Sequence, residues 1–104
     1  MAASVALSGC GRLQRPFDRE AWIAADVDAS HTRKQMVEDL LHDHPLKGMT
    51  RTEVLALLGP AEQTDKWEGY DLIYVLGPQG IDFDWLIIKL GSDGRVREYA
   101  VVSD

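Results

Sequence analysis

A second cysteine is missing from this sequence. With Cys10 alone in 104 residues, no intramolecular disulfide can form, and a zinc site built on cysteines is excluded. Long apolar runs are missing too: beyond the first residues, nothing approaches the roughly 20 consecutive apolar side chains that a membrane-spanning helix needs. Positive charge is scarce. Eleven Lys and Arg against 17 Asp and Glu give a formal net charge of -6, which repels a nucleic-acid backbone unless a basic stripe offsets it, and no such stripe is present. Arg12, Arg15 and Arg19 come nearest, and arginines just after a membrane-proximal segment suit a solvated tether or lipid headgroups. No glycine loop of the phosphate-cradling kind occurs either.

What is there suits a single folded domain. A chain of 104 residues can bury one core and is too short for two, and 45% hydrophobic with 27% charged residues is ordinary for a folded protein.

The one cysteine sits in an informative context. The opening MAASVALSGCGR is a small and apolar run ending in Leu7-Ser8-Gly9-Cys10, which looks like a bacterial lipobox. In that reading residues 1–9 are a signal remnant removed by cleavage before Cys10, whose thiol is diacylated. Two or three acyl chains anchor stably, each buried CH2 contributing about 0.8 kcal/mol. The segment before Cys10 has no Lys or Arg and is short for a signal peptide, so the expectation includes a translation start farther upstream. Gly11 stands where an aspartate would suggest inner-membrane retention, so the expected address is the periplasmic face of the outer membrane. The expected organisation is a remnant at 1–9, a lipid-anchored tether and N-terminal segment at 10–29, and a domain over 30–104.

Helical signals follow. Met36, Val37, Leu40 and Leu41 fall at helical spacing, with Arg33, Lys34, Glu38 and Asp39 expected on the opposite, polar side. Ser30 or Thr32 starts this helix and Pro45 ends it. Asp18 is placed to cap a shorter helix through Trp22. The stretch KGMTRTEVLALLGP, residues 47–60, predicts a complete helix: a reciprocal capping box between Thr50 and Glu53, and a staple between Met49 and Val54. Val54, Leu57 and Leu58 form its buried stripe, and Gly59 in a left-handed conformation with Pro60 behind it makes the stop.

From residue 70 the period changes to two. YDLIYVLG, FDWLIIKL and RVREYAVV are rich in β-branched and aromatic residues, and are bounded by Gly77-Pro78-Gln79-Gly80 and Gly91-Ser92-Asp93-Gly94. Connections this short join antiparallel neighbours. The predicted class is therefore α+β: two helices followed by a three-stranded antiparallel β-meander, in two layers.

The stretch Gly48-Met49-Thr50, Val54 and Leu58-Gly59 with Pro60, followed by an aromatic strand and two more strands, resembles the SmpA/OmlA family of small outer-membrane lipoproteins. Residues 46–102 fit that layout, with Ala61 where the family often has its proline. The resemblance implies a non-enzymatic accessory of outer-membrane or envelope assembly whose partners are other envelope proteins. It also implies, by fold layout alone, a likeness to the helix-helix-sheet modules of β-lactamase inhibitor proteins, hence the alternative of an inhibitor acting on an envelope enzyme through its sheet face. The matching residues are those already accounted for by capping, stapling and chain reversal, so they specify scaffold.

Candidates for chemistry each have a simpler explanation. His42-Asp43-His44 invites a metal, but on a helix the two imidazoles diverge by roughly 200°, and a third ligand from Asp43, His31 or elsewhere would still be needed. Histidines at a helix end more often meet its last carbonyls. Asp82 and Asp84 share one side of a strand, where acidic pairs are usually a polar entry rather than an acid and base working with a histidine. GSDGR lacks the alternating acidic ligands of a calcium loop and reads as a hairpin turn. No catalytic residue, cofactor, metal or small-molecule substrate is expected.

The sheet is more telling. Leu86, Ile88 and Leu90 alternate with Trp85, Ile87 and Lys89, while Ile73 and Val75 oppose Leu72, Tyr74 and Leu76, so both faces are apolar. The helices cover one. The second is expected to lie under Phe17, Trp22 and Ile23, or else to meet another protein through a partner surface around Trp67, Trp85 and Tyr99.

Overall fold

The computed structural model describes residues 15–26 and 30–104. Cys10, and with it the lipidation reading, lies outside the described residues. The elements run α1 (Arg19–Ala24), α2 (Thr32–Asp43), α3 (Arg51–Leu58), β1 (Leu72–Gln79), β2 (Asp82–Leu90) and β3 (Val96–Ser103), with the strands in the order β1-β2-β3 and both pairings antiparallel. This is the α+β arrangement expected, with the helix at Asp18 realised ahead of the other two.

Local chemistry sets each helix. The Asp18 carboxylate accepts from the backbone of Glu20 and Ala21, which starts α1. Such a short helix does not stand alone; it is held by burial of Trp22 and by Arg19, whose Nε donates to the Ala56 carbonyl of α3. At α3 both halves of the capping box are closed, Glu53 N to Thr50 Oγ1 at 3.1 Å and Thr50 N to Glu53 Oε1 at 2.9 Å. The motif is thus spent on its own helix end. Gly59 stops α3 at φ +80, ψ -170, a positive-φ extended conformation rather than the left-handed helical one expected, and its carbonyl accepts from the Tyr74 hydroxyl at 2.8 Å. Val54 and Leu58 are buried, and Leu57 is half-buried.

The core lies on one face of the sheet. Trp22, Met36, Leu40, Leu46, Val54 and Leu58 pack with Leu72, Tyr74, Leu76, Leu86, Ile88 and Val96. Phe17 and Ile23 join this same cluster, and the Trp22 and Tyr74 rings meet edge to face at 6.5 Å. The early aromatic patch is therefore a third member of the helix layer and does not cover the second sheet face. The reason is Asp18: by capping α1 it turns Trp22 inward beside α2.

Arg33 departs furthest from its expected place on the polar side of α2. It is buried, with its guanidinium 5.0 Å from the Trp22 ring centre, its Nε donating to the Trp22 carbonyl at 2.9 Å and its Nη1 to the Val75 carbonyl at 3.0 Å. Glu62 supplies a carboxylate at 3.5 Å. Burial lowers the pKa of Arg33 and Glu62 opposes the shift; an arginine stays charged regardless. The rest of that side is also used, since Asp39 accepts from Phe17 N at 2.7 Å and Lys34 reaches the Pro78 carbonyl at 3.0 Å and Asp84 at 3.2 Å.

The first hairpin turns later than the glycines suggest. Gly77 and Pro78 lie inside β1, opposite Asp84 and Phe83, and the chain reverses at Gly80 and Ile81. A bulge separates Val75 from Gly77, where a Cβ would stand 2.8 Å from the Ser30 carbonyl. The second reversal is the expected one at 91–94: Gly91 N donates to Arg95 O at 2.8 Å and Asp93 accepts from Arg95 N at 3.1 Å.

Candidate functional site

The second sheet face carries Ile73, Val75 and Ile87, each under 10% exposed, together with Trp85 and Lys89. Its cover comes from the connection between α3 and β1. Beyond Gly59 the chain passes the β1 edge, where Glu62 N donates to Ile73 O at 2.7 Å, and then folds over the face. Thr64 Oγ1 accepts from Lys66 N, and Tyr70 N closes a turn on Trp67 O at 3.2 Å. Lys89 rises to meet this turn, donating to the Gly69 carbonyl at 2.7 Å with its ammonium 6.0 Å from the Tyr70 ring centre. Asp71 ties down the far end by accepting from Leu90 N at 2.8 Å.

An aromatic ledge results. The Trp67 and Trp85 rings meet edge to face with centroids 6.5 Å apart, and Phe83 lies beside Trp85 at the same separation. All three are partly exposed. The ledge has a polar frame: Trp85 Nε1 donates to the Asp104 carboxylate, Lys66 lies 3.1 Å from the same carboxylate, and the Lys66 ammonium is 5.8 Å from the Trp67 ring centre. Donation from Trp85, aided by Lys66, holds the Asp104 carboxyl below the usual carboxylate range. The Trp67 indole nitrogen is enclosed with no partner among the described residues. Rings fixed this way present apolar area without losing much rotamer freedom on binding.

Of the three residues expected to form a partner surface, Trp67 and Trp85 are brought together and Tyr99 is not. Tyr99 pairs with Ile88 across β2 and β3, so it points to the helix side and packs at the margin of the main core. The sequence reading missed Phe83, which shares the face of Trp85 at a spacing of two, and missed Lys66 and Asp104, which are far apart in sequence and meet only through the fold. Trp67, expected as partner surface alone, is also part of the cover of the second face.

The remaining candidates are dispersed. His42 Nδ1 bonds the neighbouring Asp43 carboxylate at 2.7 Å, which raises the imidazole pKa and lowers that of Asp43, while His44 packs against the Phe17 ring at 5.2 Å. Asp84 is engaged by Lys34 and by the Ser103 hydroxyl, whereas Asp82 is exposed. Among the described residues no group of three or more His, Cys, Asp and Glu is arranged to hold a metal ion. An open groove of about 680 Å³ runs beside α3, with Arg51, Pro60, Gln63 and Asp71 on its walls; Thr50 and Glu53 do not line it. No described helix is long and apolar enough to cross a membrane. Comparison with known proteins finds no matching family model, no matching curated protein and no matching solved structure.

Proposed function

We propose that this chain is a non-enzymatic protein-interaction module of the SmpA/OmlA type, carried on a lipid anchor at Cys10 at the periplasmic face of the outer membrane and accessory to envelope assembly. The observation that carries the interaction role is the Trp67–Trp85 pair, two large rings held in fixed orientation on the sheet face away from the helices. Tryptophan is among the residue types enriched at the energetic centres of protein interfaces. The anchor rests on the motif Leu7-Ser8-Gly9-Cys10, and the family reading on the residues from Gly48 to Pro60.

A photocrosslinking residue at position 85 tests the contact, with the exposed position 52 on α3 as the control. Covalent adducts with β-barrel assembly subunits from position 85 alone support the proposal, and equal or absent adducts at both positions defeat it. The anchor is tested separately by labelling with a palmitate analogue, where incorporation must disappear in Cys10→Ala. A second reading, an inhibitor of an envelope enzyme, is favoured by Ile81, which stands 97% exposed at the tip of the first hairpin. In that case adducts form with a hydrolase instead.

A further inference from the structure

The two edges of the sheet are finished differently. Along β1, the carbonyls that point away from β2 are occupied: Ile73 O accepts from Glu62 N, Val75 O from Arg33 Nη1 and Pro78 O from Lys34 Nζ. Pro78 has no NH to offer, and the bulge at Leu76 interrupts the line. These are the devices by which proteins close a sheet edge.

The β3 edge is closed only at its start, where Gly48 N and Met49 O bond both backbone groups of Val96 and Thr50 bridges to Arg95. Beyond Val96 no backbone or side-chain group among the described residues meets it. The direction of its free groups follows from the ladder. Asp104 N donates to Phe83 O, which makes Asp84 and Ser103 a non-hydrogen-bonded pair, so Glu98, Ala100 and Val102 bond toward β2. Tyr99, Val101 and Ser103 therefore turn their NH and C=O outward. From 99 to 102 this edge reads Tyr-Ala-Val-Val, with no charge and no proline, and Val101 is 47% exposed.

We propose that this edge pairs antiparallel with β3 of a second copy of the chain, joining two sheets into one continuous sheet about a two-fold axis at Ala100. The free window, 97–103, is itself centred on Ala100. In that register Tyr99 faces Val101 of the second copy and exchanges both backbone bonds with it. The pairing is made twice by symmetry, and it covers the exposed valine with an aromatic ring. The axis carries only a methyl group on each chain. Glu98 faces Val102 and Arg97 faces Ser103, so no like charges are opposed across the seam. Each copy carries a net charge of -6, hence the mutual repulsion is screened by salt and pairing tightens as salt is raised.

Sedimentation equilibrium of the full chain under reducing conditions, which keep Cys10 from crosslinking, tests this. The expected result is a mass twice the 11.6 kDa of one chain at high concentration, increasing with salt. Val101→Pro removes an NH that β2 does not use, and Val101→Lys puts a charge at the seam. Each is expected to weaken dimerisation at least ~10-fold while leaving the far-ultraviolet spectrum unchanged. Ile81→Ser, which removes the other exposed large apolar side chain among the described residues, at the β1–β2 turn and outside the seam, is expected to leave it intact. A wild type that stays monomeric at high protein and high salt overturns the proposal, as does a dimer that survives Val101→Lys or is lost in Ile81→Ser. Should Val101→Pro unfold, Val101→Lys alone decides.

Discussion

Gly59→Ala is the most informative single change in this fold, because two separable costs converge on one hydrogen atom. Gly59 sits at φ +80, ψ -170, a region open essentially to glycine alone, and holding another residue there costs about 1–3 kcal/mol. A Cβ at this position would stand 3.0 Å from Cγ1 and 3.3 Å from Cδ1 of Ile23, so the Ile23 side chain must also shift by a few tenths of an ångström. Crowding of that kind adds about 1 kcal/mol, for a total of about 2–4 kcal/mol. With a urea slope of about 2 kcal/mol/M, the unfolding midpoint should fall by about 1–2 M. Equilibrium urea titration followed by tryptophan fluorescence measures this. Ile23→Ala separates the two costs, since it removes the obstructing side-chain carbons and leaves the backbone as it is. In the double variant the combined loss should be about 1 kcal/mol smaller than the sum of the single losses. Losses that simply add would show that Ile23 does not press on Gly59, and a Gly59→Ala midpoint equal to wild type would refute the whole argument.

Other outcomes follow from the same geometry. Thr50→Ala opens the capping box at Glu53 N and should cost about 1 kcal/mol in the same titration. Arg33→Met leaves the Trp22 and Val75 carbonyls without their donor and Glu62 without its cation. The two buried carbonyls left unpaired should cost about 2–6 kcal/mol by chemical denaturation, and Arg33→Lys, which cannot reproduce the fork, should recover only part of that. The Tyr74 phenol, buried and donating to Gly59 O, has its pKa raised from 10.0 to about 12. The neutral form is the one the fold favours, so this contribution is whole below pH 10 and disappears as the pH climbs through about 12. Ultraviolet titration of wild type against Tyr74→Phe should show one phenol ionising near pH 12 and missing from the variant.

Local features of this fold are legible in the sequence and non-local ones are not. The capping box, the second reversal at 91–94 and the alternation of β2 depend on residues within a few positions of one another. Arg33 could not be placed the same way. Its neighbours on α2 look polar, and what buries it is Trp22 on one side and the Val75 carbonyl on the other, groups brought there by the fold. Tyr99 lies on the side opposite to the one expected for a related reason: alternation fixes which residues of a strand share a face, but pairing fixes which face, and the bulge between Lys89 and Leu90 shifts that register. Trp67 lay in a stretch with no period, so its place over Trp85 had no local sign. The turn at Gly80 and Ile81 falls later than the sequence suggests because Gly77 and Pro78 resemble a reversal, whereas Gly77 is needed for its close approach to Ser30.

The way the N-terminal segment is fastened decides how the domain meets a mechanical load. Arg15 N is bonded to Gln35 O and Phe17 N to Asp39, both on α2, and Trp22 with Arg33 stands behind them. Tension on the chain ahead of residue 15 is therefore borne first by those two bonds to α2 and then by the tryptophan and its arginine clamp, which passes the load to β1 through the Val75 carbonyl and the Tyr74 ring. Under a steady pull the molecule should surrender α1 as its first discrete step, with α3 and the meander still folded.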